Sequence, residues 1–251
     1  VLNSVSGVAG LLPTLSAINS DHKVALANKE TLVAGGKLLT NEVKAKGIKL
    51  LPVDSEHCAI WQCLWGEKRQ NLDRILITAS GGPFRGFSRE QLGDITVERA
   101  LNHPTWKMGK KITIDSSTLA NKGLEVIEAA FLFDVTADQI EVVVHPQSLI
   151  HSLVRTNDGM LYAQISDPDM KHPIYSALTW PENKKSYLEP FDLFEQNMTF
   201  FKPRFNDFPL LNYAFECVKF GGCYPIAFNA ANEVAVHSFL NEKINYQNIS
   251  R

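Results

Sequence analysis

The chain of 251 residues has no run of about 20 apolar residues, so a membrane-spanning helix is not expected. It lacks strong charge of either sign. The formal net charge of -2 gives no electrostatic case for nucleic acid or an anionic membrane. Its densest basic stretches, Trp106 to Lys111 and Lys184-Lys185, are too short to form a nucleic-acid stripe. Cysteine is sparse: Cys58, Cys63, Cys217 and Cys223 contain no CxxC, which argues for reduced, mostly buried thiols and against a disulfide scaffold. There is no GxGxxG, no GxxxxGK[ST], no internal repeat and no low-complexity run. The apolar opening, Val1 to Leu12, has no basic flank and no initiator Met; it reads as the middle of a domain, so the chain is expected to be a fragment.

What remains is ordinary globular composition, 45% hydrophobic and 21% charged, in a chain long enough for more than one domain. Leu11 to Ser20 reads as a helix and Lys23 to Leu26 as a strand. A second helix runs to about Lys46, with Gly47 as its stop, and Ile48 to Val53 is a strand. This β-α-β alternation predicts a parallel, doubly wound sheet, with ligands outside the carboxyl ends of its strands. Ser55 to Leu64 reads as a helix, Arg74 to Thr78 as a buried strand, Ile112 to Ile114 as a short strand and Ser117 to Phe133 as a helix. Gln139 to Val144, Leu149 to Thr156 and Met160 to Ser166 read as three antiparallel strands, the last two joined at Asn157-Asp158-Gly159. A connection from about Pro181 to Pro209 leads to helices at Leu210 to Lys219 and Ala227 to Lys243. The expected class is α/β plus α+β. The end of a Rossmann-like parallel-sheet domain (1–54) precedes a central catalytic α+β domain with an antiparallel sheet (55–189). A linker (190–209) then leads to the start of a helical domain (210–251).

Two runs carry most of the chemistry: Pro52-Val53-Asp54-Ser55-Glu56-His57 and Ile114-Asp115-Ser116-Ser117-Thr118-Leu119-Ala120-Asn121-Lys122-Gly123-Leu124-Glu125. Asp54 and Glu56, two apart at a strand end, can lean the same way. On the later helix Ala120, Leu124, Ile127 and Phe131 share one face and Asn121, Lys122, Glu125 and Glu128 the opposite arc, so that the face bearing Asn121, Lys122 and Glu125 is free to line a pocket. Three carboxylates, Asp54, Glu56 and Glu125, with no soft ligand suit Mg²⁺ or Mn²⁺. Ser80-Gly81-Gly82 after a strand can turn backbone N–H groups towards an anion. Ser116 and Ser117 are expected at a helix N-terminus, which favours phosphate. The loop His103 to Gly109, with Trp106 and Met108, suits a lid. His57, His145 and His151 read as structural hydrogen-bonders, and Cys58 carries no sign of a nucleophile. From the residues alone this is a divalent-metal enzyme acting on a sugar phosphate, with an isomerase, an aldolase-type lyase and a reductase all open.

Taken together, these runs resemble the 1-deoxy-D-xylulose 5-phosphate reductoisomerase family. The matching segments are Ala27 to Glu30, Leu51 to His57, Ser80 to Phe84, His103 to Gly109, Ile114 to Ser117 with Asn121 to Glu125, His145 to Ser148 and Pro168 to Met170, in family order. The resemblance implies an NADP-dependent oxidoreductase that rearranges and reduces 1-deoxy-D-xylulose 5-phosphate to 2-C-methyl-D-erythritol 4-phosphate. That step belongs to non-mevalonate isoprenoid biosynthesis. It implies Asp54, Glu56 and Glu125 as ligands of Mn²⁺ or Mg²⁺. Lys29, Ser55, Glu56, Ser80, His103, Ser116, Asn121, Lys122 and Glu125 would bind substrate, with Lys29, Glu56, His103 and Trp106 catalytic. Asn28, Glu30 and Gly109 would meet NADPH. A homodimer in the bacterial cytoplasm, with a plastid-type organelle as the alternative, is the family expectation, with contact near residues 140 to 166. The family's first strand and Gly-rich phosphate loop have no counterpart here, so the expectation is a whole metal and substrate site beside a broken cofactor site. A silent fragment and a cofactor-independent isomerase or lyase stand as alternatives.

Overall fold

The computed structural model describes residues 1–102, 108–182 and 184–251. Its elements run β1 (Leu2–Asn3), α1 (Leu11–Asn19), β2 (Val24–Leu26), α2 (Lys29–Lys46), β3 (Leu50–Pro52), α3 (Ser55–Cys63), β4 (Leu72–Ala79) and α4 (Val97–Ala100). They continue with α5 (Lys110–Ser117), α6 (Ala120–Phe133), β5 (Ile140–Val144), β6 (Ile150–Thr156), β7 (Leu161–Ile165), α7 (Lys171–Thr179), α8 (Pro209–Phe220) and α9 (Tyr224–Leu240).

The alternation in the first fifty residues folds as its pattern dictates. β1, β2 and β3 form one parallel sheet in that order, with Leu26 level with Pro52. Asn28 caps α2, its side-chain oxygen accepting from the Thr31 N–H at 2.9 Å. Gly47 closes the helix at φ 61°, a left-handed conformation that costs glycine nothing. Everything that follows the three strands therefore starts from one edge: Ser4 after β1, Ala27 to Lys29 after β2, and Val53 to Glu56 after β3.

The second sheet has the order β5-β4-β6-β7. Two strands are antiparallel as expected, β6 and β7 pairing across the Asn157-Asp158-Gly159 turn. The third is not. β5 runs parallel to β4, from Ile75 opposite Ile140 to Ala79 opposite Val144, because the chain between them crosses back through α4, α5 and α6. β4 thus sits between β5 and β6 and is buried, with Ile75 and Ile77 fully enclosed. The short strand expected at Ile112 to Ile114 is instead the middle of α5. Ile114 turns into the core, and Lys111 pairs with Asp115 one helical turn on at 2.7 Å, so packing and an i,i+4 ion pair overrule the β-branched residues.

One core joins the sheet to the helices. Ile75, Ile77, Ile114, Leu124, Ile127, Leu211, Ala214 and Phe239 belong to a single buried cluster. Each fully enclosed Leu or Ile contributes about 1.5–3 kcal/mol of burial. α6 runs through the middle of this core, so its polar arc is held rigidly beside the ends of β2, β3 and β4. The stretch before α8 is extended and returns along the second sheet, where Phe201 bridges to Val144. Among the described residues no helix is long and apolar enough to cross a membrane.

Candidate active site

A cavity of about 240 Å³ opens where these strand ends meet α6. Its wall includes Lys29, Asp54, Ser55, Glu56, Ser80, Ser116, Asn121, Lys122 and Glu125, nine residues singled out by motif. A second cavity, of about 550 Å³, shares Lys29 and Asn121 with the first. It gathers Asn28, Glu30 and Gly109 beside Ser4 to Gly7. His103 and Trp106 lie outside the described residues, while Met108 from the same motif lines the smaller cavity.

The polar centre is nearly closed to water. Lys29, the first residue of α2, reaches Asp54 at 3.0 Å, Glu125 at 3.1 Å and the Asn121 side-chain oxygen at 2.8 Å. Lys122 reaches Glu56 at 2.7 Å and also contacts Glu125. Asn121 donates to Glu125 at 2.6 Å, and Ser55 to Glu56 at 2.6 Å. Glu125, Lys122 and Lys29 are 1%, 4% and 7% exposed, so these charges are compensated by one another rather than by solvent.

The electrostatics follow. Burial would lower the Lys29 ammonium, but Asp54 and Glu125 hold it well above its ordinary range. Burial likewise opposes ionisation of Asp54, yet Lys29 and His57 keep it well below the usual carboxylate range. Burial and the neighbouring Glu56 push Glu125 up despite its two lysines. Three carboxylates here meet two ammonium groups, with the His57 imidazole behind Asp54.

That donor set fits a hard divalent cation. Asp54, Glu56 and Glu125 offer oxygens that all lie within 4.8 Å of one another. None is a soft ligand, and the cavity beside them leaves room for water or substrate oxygens.

Behind these carboxylates stands His57. Its Nε2 lies 2.9 Å from the Glu125 carbonyl, and its Nδ1 lies 3.1 Å from Asp54 and 3.5 Å from Glu128. Burial would lower this imidazole, but Glu128 and Asp54 outweigh it and push it up to about 9. His145 and His151 also make backbone hydrogen bonds, to Thr199 and Ser166, so all three histidines are hydrogen-bonders as expected. Cys58 is buried, and burial raises its thiol to about 12. All four cysteines are free, though Cys223 is exposed rather than buried.

The anion side differs from its sequence reading in one respect. Ser116 and Ser117 do not open a helix; they end α5, and α6 begins only at Ala120 after Leu119 turns the chain at φ 61°. Ser116 still lines the cavity, because the Ser80-Gly81-Gly82 turn packs directly on it. Gly82 sits at φ 68°, and a Cβ there would meet the Ser116 carbonyl oxygen at 2.7 Å. Only glycine permits that approach.

At the larger cavity, Asn28 spends its side-chain amide on the Val5 and Gly7 carbonyls and so ties the 5–7 loop to α2. Glu30 pairs with Lys111 at 2.9 Å, and Lys111 with Asp115, which accepts from Asn232 of α9 at 2.8 Å. Motifs gave no site role to Lys111 or to the cavity-lining Thr78, Ile150 and His151, while Ser148 and Met170, which close two of the matching segments, also line the cavity. Thr78, Ile150 and His151 come from β4 and β6, whose adjacency no local pattern encodes.

Comparison with known proteins bears on this geometry. Residues 50–133 match the 1-deoxy-D-xylulose 5-phosphate reductoisomerase C-terminal domain, residues 165–251 the DXP reductoisomerase C-terminal domain, and residues 1–36 a model for 1-deoxy-D-xylulose 5-phosphate reductoisomerase. The chain is 52% identical over 250 residues to 1-deoxy-D-xylulose 5-phosphate reductoisomerase of Protochlamydia amoebophila, covering 99% of this chain and 65% of that protein. The Clostridium tetani protein of the same name is 53% identical over 252 residues, covering 100% and 66%. Among solved structures, DOX-P reductoisomerase in complex with NADPH, fosmidomycin and magnesium superposes with TM-score 0.94 at 43% identity, over 99% of this chain and 64% of the other. The Zymomonas mobilis reductoisomerase in complex with NADPH gives TM-score 0.93 at 47% identity, over 99% and 65%. The chain thus spans a little under two thirds of the relatives it matches. Three family models that together tile most of its length, two relatives above half identity and a shared backbone make it a member of the 1-deoxy-D-xylulose 5-phosphate reductoisomerase family.

Proposed function

We propose that this chain carries the metal and substrate site of an enzyme that rearranges 1-deoxy-D-xylulose 5-phosphate and reduces it, with NADPH, to 2-C-methyl-D-erythritol 4-phosphate. The observation that carries this reading is the cluster of Asp54, Glu56 and Glu125, paired with Lys29 and Lys122, at the mouth of a cavity lined by Ser80, Ser116 and Asn121. Asp54, Glu56 and Glu125 would hold Mn²⁺ or Mg²⁺. Asn28, Glu30 and Gly109, beside the larger cavity, would meet NADPH. When bound, the cation supplies Lewis acidity to the ketone and its neighbouring hydroxyl, and NADPH supplies hydride.

The chain's own residues do the placing. Lys122, Ser80, Ser116 and Asn121 give a cation and hydroxyl or amide donors for an anionic polyol. Glu56, half-buried and braced by Ser55 and Lys122, presents a carboxylate able to take a hydroxyl proton. Lys29 links the two cavities and holds Asp54 and Glu125 together. Residues 1–54 form the nucleotide side in this reading, 55–189 the catalytic part, 190–209 the connection, and 210–251 the first helices of a further domain.

The same reading includes a homodimer in the bacterial cytoplasm. Support for the dimer comes from β7, an edge strand whose Leu161, Tyr162 and Ile165 are exposed next to Met160. Such an edge is a template for pairing. Support for a bacterial source comes from the relatives named above.

NADPH absorbance followed with 1-deoxy-D-xylulose 5-phosphate and Mn²⁺, for this chain and for the full gene product, tests the proposal. Cation-dependent decay in either supports it. Decay in neither sinks it and favours a cofactor-independent isomerase or lyase.

A further inference from the structure

Glu128 has no part in the reading above. It lies on α6 one turn after Glu125, is 1% exposed, and its Oε2 makes no hydrogen bond. A buried carboxylate oxygen without a hydrogen bond is costly, and its retention needs a reason. The charged groups that act on it are His57, Asp54, Lys29 and Glu125, and the Nδ1 of His57 stands 3.5 Å away. That same nitrogen stands 3.1 Å from Asp54 Oδ2, and the ring is fixed from the far side by the Glu125 carbonyl at Nε2. Phe133 stacks along the imidazole with ring centres 6.2 Å apart. His57 therefore cannot swing, and its Nδ1 stands between a carboxylate in front and one behind.

We propose that Glu128 is a positioning residue for the divalent cation: acting through the His57 ring, it fixes the orientation of Asp54 so that Asp54, Glu56 and Glu125 converge. The inference rests on the metal reading given above. Carboxylates behind a ligand set orient the ligands and hold their charge, and losing one costs about 10–100-fold in metal affinity. The rival arrangement is a second cation held by Asp54, His57 and Glu128, whose ligand atoms also lie within 4.8 Å of one another. Stoichiometry separates the two: the positioning role keeps one bound cation per chain, and the rival holds two.

Mn²⁺ titration of this chain, with free Mn²⁺ counted by electron paramagnetic resonance, decides the matter. The expected result is one site per chain, weakened about 10–100-fold in Glu128→Gln with the site count unchanged. His57→Gln should weaken it similarly, and the double variant no further than His57→Gln alone. Should Glu128→Gln fail to fold, the pair Glu128→Leu with His57→Phe removes both buried charges and the ion pair together. That variant should show the same loss of affinity. Wild-type affinity in either folded variant overturns the proposal. Two sites in the wild type, one of them lost in Glu128→Gln, overturns it too, making Glu128 a ligand. Glu125→Gln separates the two readings: if the wild type binds no Mn²⁺, or Glu125→Gln binds it normally, the metal site falls and takes the positioning role with it. Loss in Glu125→Gln with none in Glu128→Gln sinks the positioning role alone.

Discussion

α6 and β7 invert the usual distribution of residues in opposite ways. α6 takes Lys122, Glu125 and Glu128 into the interior, each under 5% exposed, whereas β7 leaves Leu161 54%, Tyr162 44% and Ile165 38% exposed. A buried charge and an exposed apolar patch are the two informative departures from ordinary burial. For Lys122 and Glu125 the first is tolerated because opposite charges, 2.7 to 3.1 Å apart, replace water, and the proposed use is an ionic ligand. The second is tolerated only as long as another surface covers it, and the proposed cover is a second copy of the chain. Charge buried on a rigid helix and apolar surface left at a sheet edge thus point to different kinds of partner.

The comparison breaks most readily at Lys122. Replacing it with Met leaves Glu125 and Glu56 without their shared cation, and breaking a buried pair from one side costs about 3–5 kcal/mol. The melting temperature of Lys122→Met should fall sharply and recover in part with millimolar Mn²⁺; an unchanged melt would mean that the cluster is solvated. A smaller loss is expected at the turn facing Ser116. Gly82→Ala places a methyl 2.7 Å from a carbonyl at a left-handed position and should destabilise by about 1–3 kcal/mol, measured by urea unfolding. It should also weaken inorganic phosphate binding, whereas Gly86→Ala, where an added Cβ meets nothing, should leave both alone. The least effect on folding belongs to the edge. Leu161→Asp should change chain stability by no more than about 0.5 kcal/mol while turning a dimer into a monomer by sedimentation. A monomeric wild type would remove the dimer from the account.

Much of this was readable locally. Asn28 as cap, Gly47 as stop, the Asn157-Asp158-Gly159 turn and Asp54 at a strand end are short-range features whose physics lies within a few residues. The polar arc of α6 was legible from helical spacing, although its near-complete burial was not. Three readings failed for reasons beyond local reach. Ile112 to Ile114 carries β-branched residues, but its place in the core and the Lys111–Asp115 pair make it helical. β5 joins β4 in parallel because a helical crossover precedes it. Ser116 and Ser117 close one helix instead of opening the next. Glu128 read as one more polar residue on a helix, since nothing in its own segment reveals that His57 lies behind Asp54.

The central claim is that a cation held by Asp54, Glu56 and Glu125 prepares the cavity for a sugar phosphate. Calorimetric titration of 1-deoxy-D-xylulose 5-phosphate into this chain, with and without Mn²⁺, tests it most directly. The account predicts binding that strengthens with Mn²⁺ and loses that dependence in Glu125→Gln. Binding of equal strength with and without the cation, or cation dependence that persists in Glu125→Gln, would contradict it.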